Sequence, residues 1–298
     1  MQEAAPGIGC LPIVFVNVYF VQAGDDWVLV DTGLPGHAPD IIAAAQERFG
    51  AGVKPAAIVL THGHFDHAAN ARELAQVWDV PVYAHALELP YLSGQSDYPP
   101  QDPTVGGAIA FLSRFFSSRG MDLGACVHAL PLDGSVPGLP GWRALHTPGH
   151  APGHVSLLRP SDRAILAGDA LATVNMDSLV ALATKKQQIS RPPAPFDYDW
   201  EAARRSAEHL ADLSPTVLAC GHGVPMSGPD LSADLTAFAD KFPTPSHGRY
   251  VNAPAITDET GLLSVPPPAP DPLPRVAVGI GLGALAGLAF AMIRRRRK

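Results

Sequence analysis

Cysteine is scarce in this chain. Cys10, Cys126 and Cys220 are its only three, and no two form a CxxC pair. An odd, scattered set speaks against a disulfide framework and leaves buried free thiols as the expectation. Charge is sparse too, at 16% of residues, against about a quarter in an average soluble domain. The first residues, Met1 to Pro6, carry no basic segment. The run Ile13–Val21 is β-branched and aromatic, and it reads as a strand rather than a secretion signal. Cations are scarcest in the body of the chain. All 28 acidic residues precede position 275, but only 15 of the 21 basic ones do, so that part carries a net charge of −13. A surface that acidic repels phosphate backbones, and nucleic acid is not expected as a partner.

Apolar residues are plentiful, at 47% of 298. That is enough for the core of one large domain or two small ones. Gly and Pro, at 28 and 31 residues, predict long, well-punctuated loops.

The most informative stretch is Thr61-His62-Gly63-His64-Phe65-Asp66-His67. It follows a short buried-strand pattern, Ala56–Leu60, and precedes a helical pattern, Ala68–Trp78. Three imidazoles and a carboxylate thus sit on a tight strand-to-helix turn, where Gly63 is expected to let the backbone bend. Neutral imidazoles and carboxylates are ligands for zinc and similar divalent cations.

Other segments repeat the arrangement of strand, turn and ligand-type side chain. Val28–Val30 ends at Asp31-Thr32-Gly33. Trp142–Thr147 leads through Pro148-Gly149 to His150. Ala164–Ala167 leads to Gly168-Asp169, and Thr216–Ala219 leads to Gly221-His222-Gly223. Helices are predicted over Pro39–Phe49, Trp200–Leu213 and Asp230–Phe242. Two irregular regions interrupt the pattern. In Leu87–Gly141, the apolar helical segment Gly107–Ser118 is either a substrate wall or a cover for a sheet. In Asn175–Trp200, Lys185, Lys186, Arg191, Phe196, Tyr198 and Trp200 lie in a solvated loop or a substrate-facing segment. His85 reads as a structural or rim residue and His146 as a strand residue. His154 reads as a residue that orients a loop or supports a ligand. His247 and Tyr250 belong to a Gly- and Pro-marked tail.

These motifs, in this order over roughly residues 9 to 248, resemble the signature of the metallo-β-lactamase-fold hydrolases. The resemblance implies an α/β (α+β) fold, the four-layer αββα sandwich with two mixed sheets face to face. It implies two divalent metal ions, zinc first, with iron or manganese as alternatives. His62, His64 and His150 would hold one, Asp66, His67 and His222 the other, and Asp169 would bridge them. Asp31 would support the site from behind; capping a loop is its other reading. Such a pair makes a metal-bridging hydroxide from water, and Asp66 could shuttle a proton. The expected enzyme is a metal-dependent hydrolase of carbonyl ester-type bonds in a partly apolar small molecule: a lactone, a thioester of the glyoxalase II kind, or a β-lactam. Lactonases of this fold commonly carry a Tyr three residues after the bridging Asp, where this chain has Ala172. Two rival readings are an iron-dependent oxygenase or oxidoreductase of the same fold, and a non-catalytic, membrane-tethered binding module.

The expected organisation is a catalytic domain over 1–250, a Pro-rich linker over 251–275 and an apolar helix from 276 with a basic tail to 298. The linker is densest in proline at Val265–Pro274. Val276–Ile293 is close to the minimum for a transmembrane helix. Together with Arg294–Lys298 it predicts membrane association, with a slight preference for a cytoplasmic catalytic domain.

Overall fold

The computed structural model describes residues 1–271. One compact unit spans Met1–Pro268, and a second, Ala269–Lys298, falls almost wholly outside the described residues. The apolar helix expected from 276 and its basic tail lie outside them as well. Among the described residues, no helix is long and apolar enough to cross a membrane.

The first sheet takes its strands in chain order: β1 (Gln2–Ala5), β2 (Ile8–Ile13), β3 (Val16–Ala23), β4 (Asp26–Val30), β5 (Ala57–Val59), β6 (Val82–Ala84) and β7 (Val127–Ala129). Strands β1 to β4 run antiparallel, and β4 to β7 run parallel. The second sheet is built from β8 (Ser135–Val136), β9 (Leu139–His146), β10 (Val155–Arg159), β11 (Ala164–Gly168), β14 (Val217–Cys220) and β15 (Met226–Ser227), in the spatial order β15-β14-β11-β10-β9-β8. A separate hairpin pairs β12 (Ala172–Val174) with β13 (Gln187–Ser190).

Alternation along the strands explains the layering. On β4, Trp27 and Leu29 face helices α1 (Ala38–Phe49) and α3 (Ala71–Trp78), while Val28 and Val30 face the other sheet. On β11, Ala164 and Leu166 point between the sheets, and Ile165 and Ala167 point at α7 (Trp200–Asp212) and α8 (Leu231–Ala239). Each sheet therefore has two apolar faces, and each face is covered. This is the expected αββα sandwich.

Two expectations change. The run Ile13–Val21 is not one strand. It breaks at Val14-Phe15, where Val14 adopts φ 59°, a left-handed backbone that a β-branched residue rarely takes. Alternation and β-propensity gave no sign of this turn. The compact unit also runs past residue 250. Ala255 is buried, and the hairpin of β16 (Ile256–Asp258) with β17 (Gly261–Ser264) packs Leu262 against Tyr91 and Tyr98. Extended linker composition therefore begins only after this hairpin.

Leu157 is fully buried between the sheets. Leu157→Ala should cost about 2–5 kcal/mol of stability, read as a lower urea midpoint with an unchanged slope.

Candidate metal centre

Five imidazoles and two carboxylates converge where the ends of β5, β9, β11 and β14 open onto loops. The turn after β5 carries His62 and His64, and the one-turn helix α2 (Phe65–Ala68) carries Asp66 and His67. His150 follows β9, Asp169 follows β11, and His222 follows β14. All seven sequence-predicted residues meet. His62, His64 and His150 place ligand atoms within 4.8 Å of one another, as do Asp66, His67 and His222, and His67 with His62 and Asp169. His64 Nδ1 lies 3.1 Å from His62 Nε2 and 3.0 Å from His150 Nε2. Asp169 reaches His150 Nε2 at 3.5 Å, His67 Nε2 at 3.5 Å and His222 Nε2 at 3.0 Å, so it lies between the two groups.

The backs of four of the five imidazoles are fixed. Asp31 accepts from His67 Nδ1 at 2.8 Å, and also from the Thr61 amide and hydroxyl at 2.8 Å each. Because the Thr61 hydroxyl donates to Asp31, its oxygen accepts from His62 Nδ1 at 3.1 Å. His150 Nδ1 donates to Asp197 at 2.9 Å and His222 Nδ1 to the Phe15 carbonyl at 2.8 Å. Four rings are thereby held as the tautomer whose Nε2 lone pair faces inward, the arrangement metal-binding histidines use. Asp31 thus supports the site from behind, at φ 62°.

Residues that support these loops carry no sequence signature. Glu88 is fully buried and accepts from the Gly63 amide at 2.8 Å, the Gly153 amide at 2.7 Å and the Tyr98 hydroxyl. It ties the first ligand loop to the loop after His150. Asn17 donates to the Cys220 carbonyl at 2.9 Å and the Gly223 carbonyl at 2.7 Å, bracketing His222. Asp197 stands 47 positions from its histidine, and only the general need of a ligating His for a rear acceptor pointed to such a residue.

Gly63 also has a different reason from the one expected. Its backbone is not left-handed; a Cβ there would strike the Tyr98 hydroxyl and come within 2.6 Å of Leu92. At Gly221 a Cβ would strike Asp169 and come within 2.6 Å of His67 Cε1. Both glycines make room for the cluster.

His154 is not among the converging atoms. It accepts the Asp169 amide at Nε2 (2.8 Å), and its Nδ1 faces Thr147 Oγ1 at 2.9 Å. Thr147 Oγ1 lies 2.9 Å from Ser156 Oγ, whose hydroxyl donates to the Ala167 carbonyl at 3.1 Å. Every proton in this chain is then assigned, and His154 sets the backbone that carries Asp169. His85 and His146 stack on each other, 4.3 Å apart and 5° from parallel, away from the cluster. Tyr250 donates to the Pro100 carbonyl, and His247 is exposed. Neither is among the residues lining the cleft over the cluster.

The electrostatics suit cations. Burial, reinforced by the neighbouring imidazoles, holds His62 and His64 well below the usual histidine range, so both are neutral. Burial pulls His67 and His222 the same way, but Asp169 and Asp66 outweigh it and raise both. Burial pushes Asp169 up, and His222 and His67 overcome it, holding its carboxyl well below the usual range. A cation bound there would supply positive charge to the same carboxylates. His67 Nε2, His222 Nε2 and Asp169 Oδ1 are buried and lack hydrogen-bond partners. Three dry polar atoms that make no hydrogen bond and face one hollow suit a metal.

The cleft above, about 320 Å³ of empty space, pairs these ligands with apolar side chains. Ile109, on α5 (Ala108–Ser113), and Phe116 beyond it form part of the lining. The segment after Gly107 is therefore a wall of the site.

Comparison with known proteins agrees with this architecture. The family model described as the metallo-beta-lactamase superfamily matches residues 11–222. The chain belongs to this superfamily, and it is a hydrolase of the metal-dependent kind. It is 44% identical over 243 residues to the probable metallo-hydrolase YflN of Bacillus subtilis (strain 168), covering 80% of this chain and 92% of YflN. It is 30% identical over 115 residues to the hydroxyacylglutathione hydrolase GloC of Haemophilus influenzae, covering 38% and 49% of the two chains. The crystal structure of TTHA1623 in a di-iron-bound form superposes with a TM-score of 0.50 at 28% identity, covering 74% of this chain and 93% of that one. Proteins of this fold bind divalent metals, often two.

Asp197→Asn should weaken metal binding by about 10- to 100-fold, measured by competition with a chromogenic chelator, with the circular dichroism spectrum unchanged. A second expectation concerns pH. Burial, with His150 nearby, pulls His154 down to about 3. The unfolded chain therefore takes up a proton below pH 6.5 that the folded chain refuses, and stability falls as pH drops from 6.5 toward 3. In chelator-stripped protein, melting temperature should decline less steeply over pH 6.5–4 in His154→Gln than in wild type.

Proposed function

We propose that this enzyme hydrolyses carbonyl ester-type bonds, lactone or thioester included, with two divalent cations. His62, His64 and His150 hold one, Asp66, His67 and His222 hold the other, and Asp169 lies between them. The observation that carries this reading is the set of unpartnered buried atoms on His67, His222 and Asp169. Zinc is the proposed cation. The di-iron form of a similar protein makes iron the alternative, which elemental analysis separates.

When bound, such a pair supplies a reactive water at neutral pH and polarises the substrate carbonyl. The protein's part is orientation and proton traffic. Asp66 is the more exposed of the two acids, with 13% of its side chain accessible. It lies 3.6 Å from His222 Nε2 and lines the cleft. From there it can take a proton from the attacking water and return it to the leaving oxygen or sulfur. Asp169 is dry and hemmed in by imidazoles. It serves as a fixed negative charge rather than a proton carrier. The apolar wall keeps bulk water off the reacting carbonyl and strengthens every charge interaction inside.

His62→Ala and Asp169→Ala should each lose nearly all turnover of a carbonyl ester while keeping the wild-type circular dichroism spectrum. Either variant retaining full turnover would overturn the assignment. Chelator should abolish turnover, and one of zinc or iron should restore it.

A further inference from the structure

On the reading that this site cleaves carbonyl esters, we infer that its substrate is uncharged and apolar around the scissile bond, and that anionic thioesters of the glutathione kind are poor substrates. The argument starts from what surrounds the ligands. Phe15, Phe65, Ile109, Phe116, Met176 and Phe196 form the cleft wall. Among its described lining residues, no Lys, Arg, Ser, Thr, Asn, Gln or Tyr appears; every polar member is one of the proposed metal ligands. The wall is a connected aromatic surface. Phe65 and Phe116 have ring centroids 5.5 Å apart, and Phe116 and Phe196 6.2 Å apart. Phe196 in turn lies 5.6 Å from the His64 ring and 6.2 Å from that of His150. An acyl chain or aryl group seated there lies directly beside the ligands.

Two cations close to the lining residues in sequence, Arg191 and Arg114, are engaged elsewhere. Arg191, two residues before the lining residue Pro193, pairs with Asp177 at 2.7 Å, donates to the Pro243 carbonyl at 2.9 Å and covers the Trp200 ring at 5.5 Å. Arg114, two residues before Phe116, donates to the carbonyls of Pro103, Ala110 and Phe111. A carboxylate entering this cleft loses water and gains no cationic side chain from its wall. The net charge of −13 over residues before 275 repels it before it arrives.

The surroundings continue the pattern. Phe15 is 36% exposed, and its neighbour Val14 69%. Helix α6 (Leu179–Thr184) packs Ala181 and Leu182 with Ile109 and Met176, and it leaves Leu179 and Val180 exposed at 63% and 72%. Apolar surface therefore extends outward from the elements that make the wall, as an extended chain requires.

The test separates charge from bond type. The metal-loaded enzyme is given two octanoyl thioesters with the same acyl group, one of N-acetylcysteamine, which is neutral, and one of glutathione, which is anionic. A second series runs p-nitrophenyl acetate, butyrate and octanoate. The expected result is a kcat/KM about tenfold or more higher for the neutral thioester, and a rise along the ester series expressed mainly in KM. Phe116→Ala and Phe196→Ala should each lower kcat/KM for the octanoate by about tenfold, a larger loss than for the acetate, and keep wild-type metal content. Phe116→Lys should narrow the gap between the two thioesters. Equal or better turnover of the glutathione thioester, or no dependence on chain length, overturns the inference and leaves the hydrolase reading standing. Hydrolysis of none of these compounds overturns that reading, and the inference with it.

Discussion

The costliest interaction in the molecule is the assembly of five imidazoles and two carboxylates in a hollow where most of them have lost water. His62 and His67 are fully buried, and Asp169, His222 and His150 are nearly so. Desolvating such groups costs several kcal/mol apiece unless charge and hydrogen bonds compensate. Much of the surrounding architecture supplies that compensation. Asp31, Thr61, Asp197 and the Phe15 carbonyl each occupy the rear nitrogen of one ring. Glu88 and Asn17 clamp the loops through backbone groups. With the rear of four rings satisfied, the front atoms are left with a net preference for a cation.

The sandwich makes this assembly possible. The ligand loops belong to both sheets, so the site forms only when the sheets are packed and in register. Tyr19, in the core between the sheets, donates its hydroxyl to the Cys220 carbonyl at 2.6 Å, two residues before His222. Asn17 accompanies it two residues earlier on the same strand. Core packing and ligand placement thus share residues, and loosening one loosens the other.

Much of this was legible in the sequence because ligand chemistry is local there. Four ligand-type side chains fall within Thr61–His67, and the other three residues of the cluster each sit on a turn after an apolar strand. The layers followed from the family resemblance of these motifs, since the strands themselves read only as apolar runs. What stayed hidden depends on contacts far apart in the chain. Asp197 resembles any loop aspartate, and Glu88 sits in a segment whose pattern predicts no site. Both are identified only by what folding brings against them. Val14 misled for a different reason: β-branched residues flank and occupy the turn, so local propensity points to a continuous strand. The bonds that its neighbours make, the Phe15 carbonyl accepting from His222 and the Asn17 amide donating to the Gly221 carbonyl, override that preference, at a cost of about 1–3 kcal/mol in backbone strain. Residues 251–264 misled through composition, since a short exposed hairpin and a linker use the same residues.

Phe15 does two jobs from one backbone position. Its carbonyl oxygen anchors His222, and its ring faces the cleft. Lineages that retune specificity through this residue therefore disturb the tether of His222 as well, whereas Phe116 and Phe196 line the cleft only through side-chain rings. Divergence in substrate range among descendants of this chain should accumulate at positions 116 and 196, with position 15 held in place by its double duty.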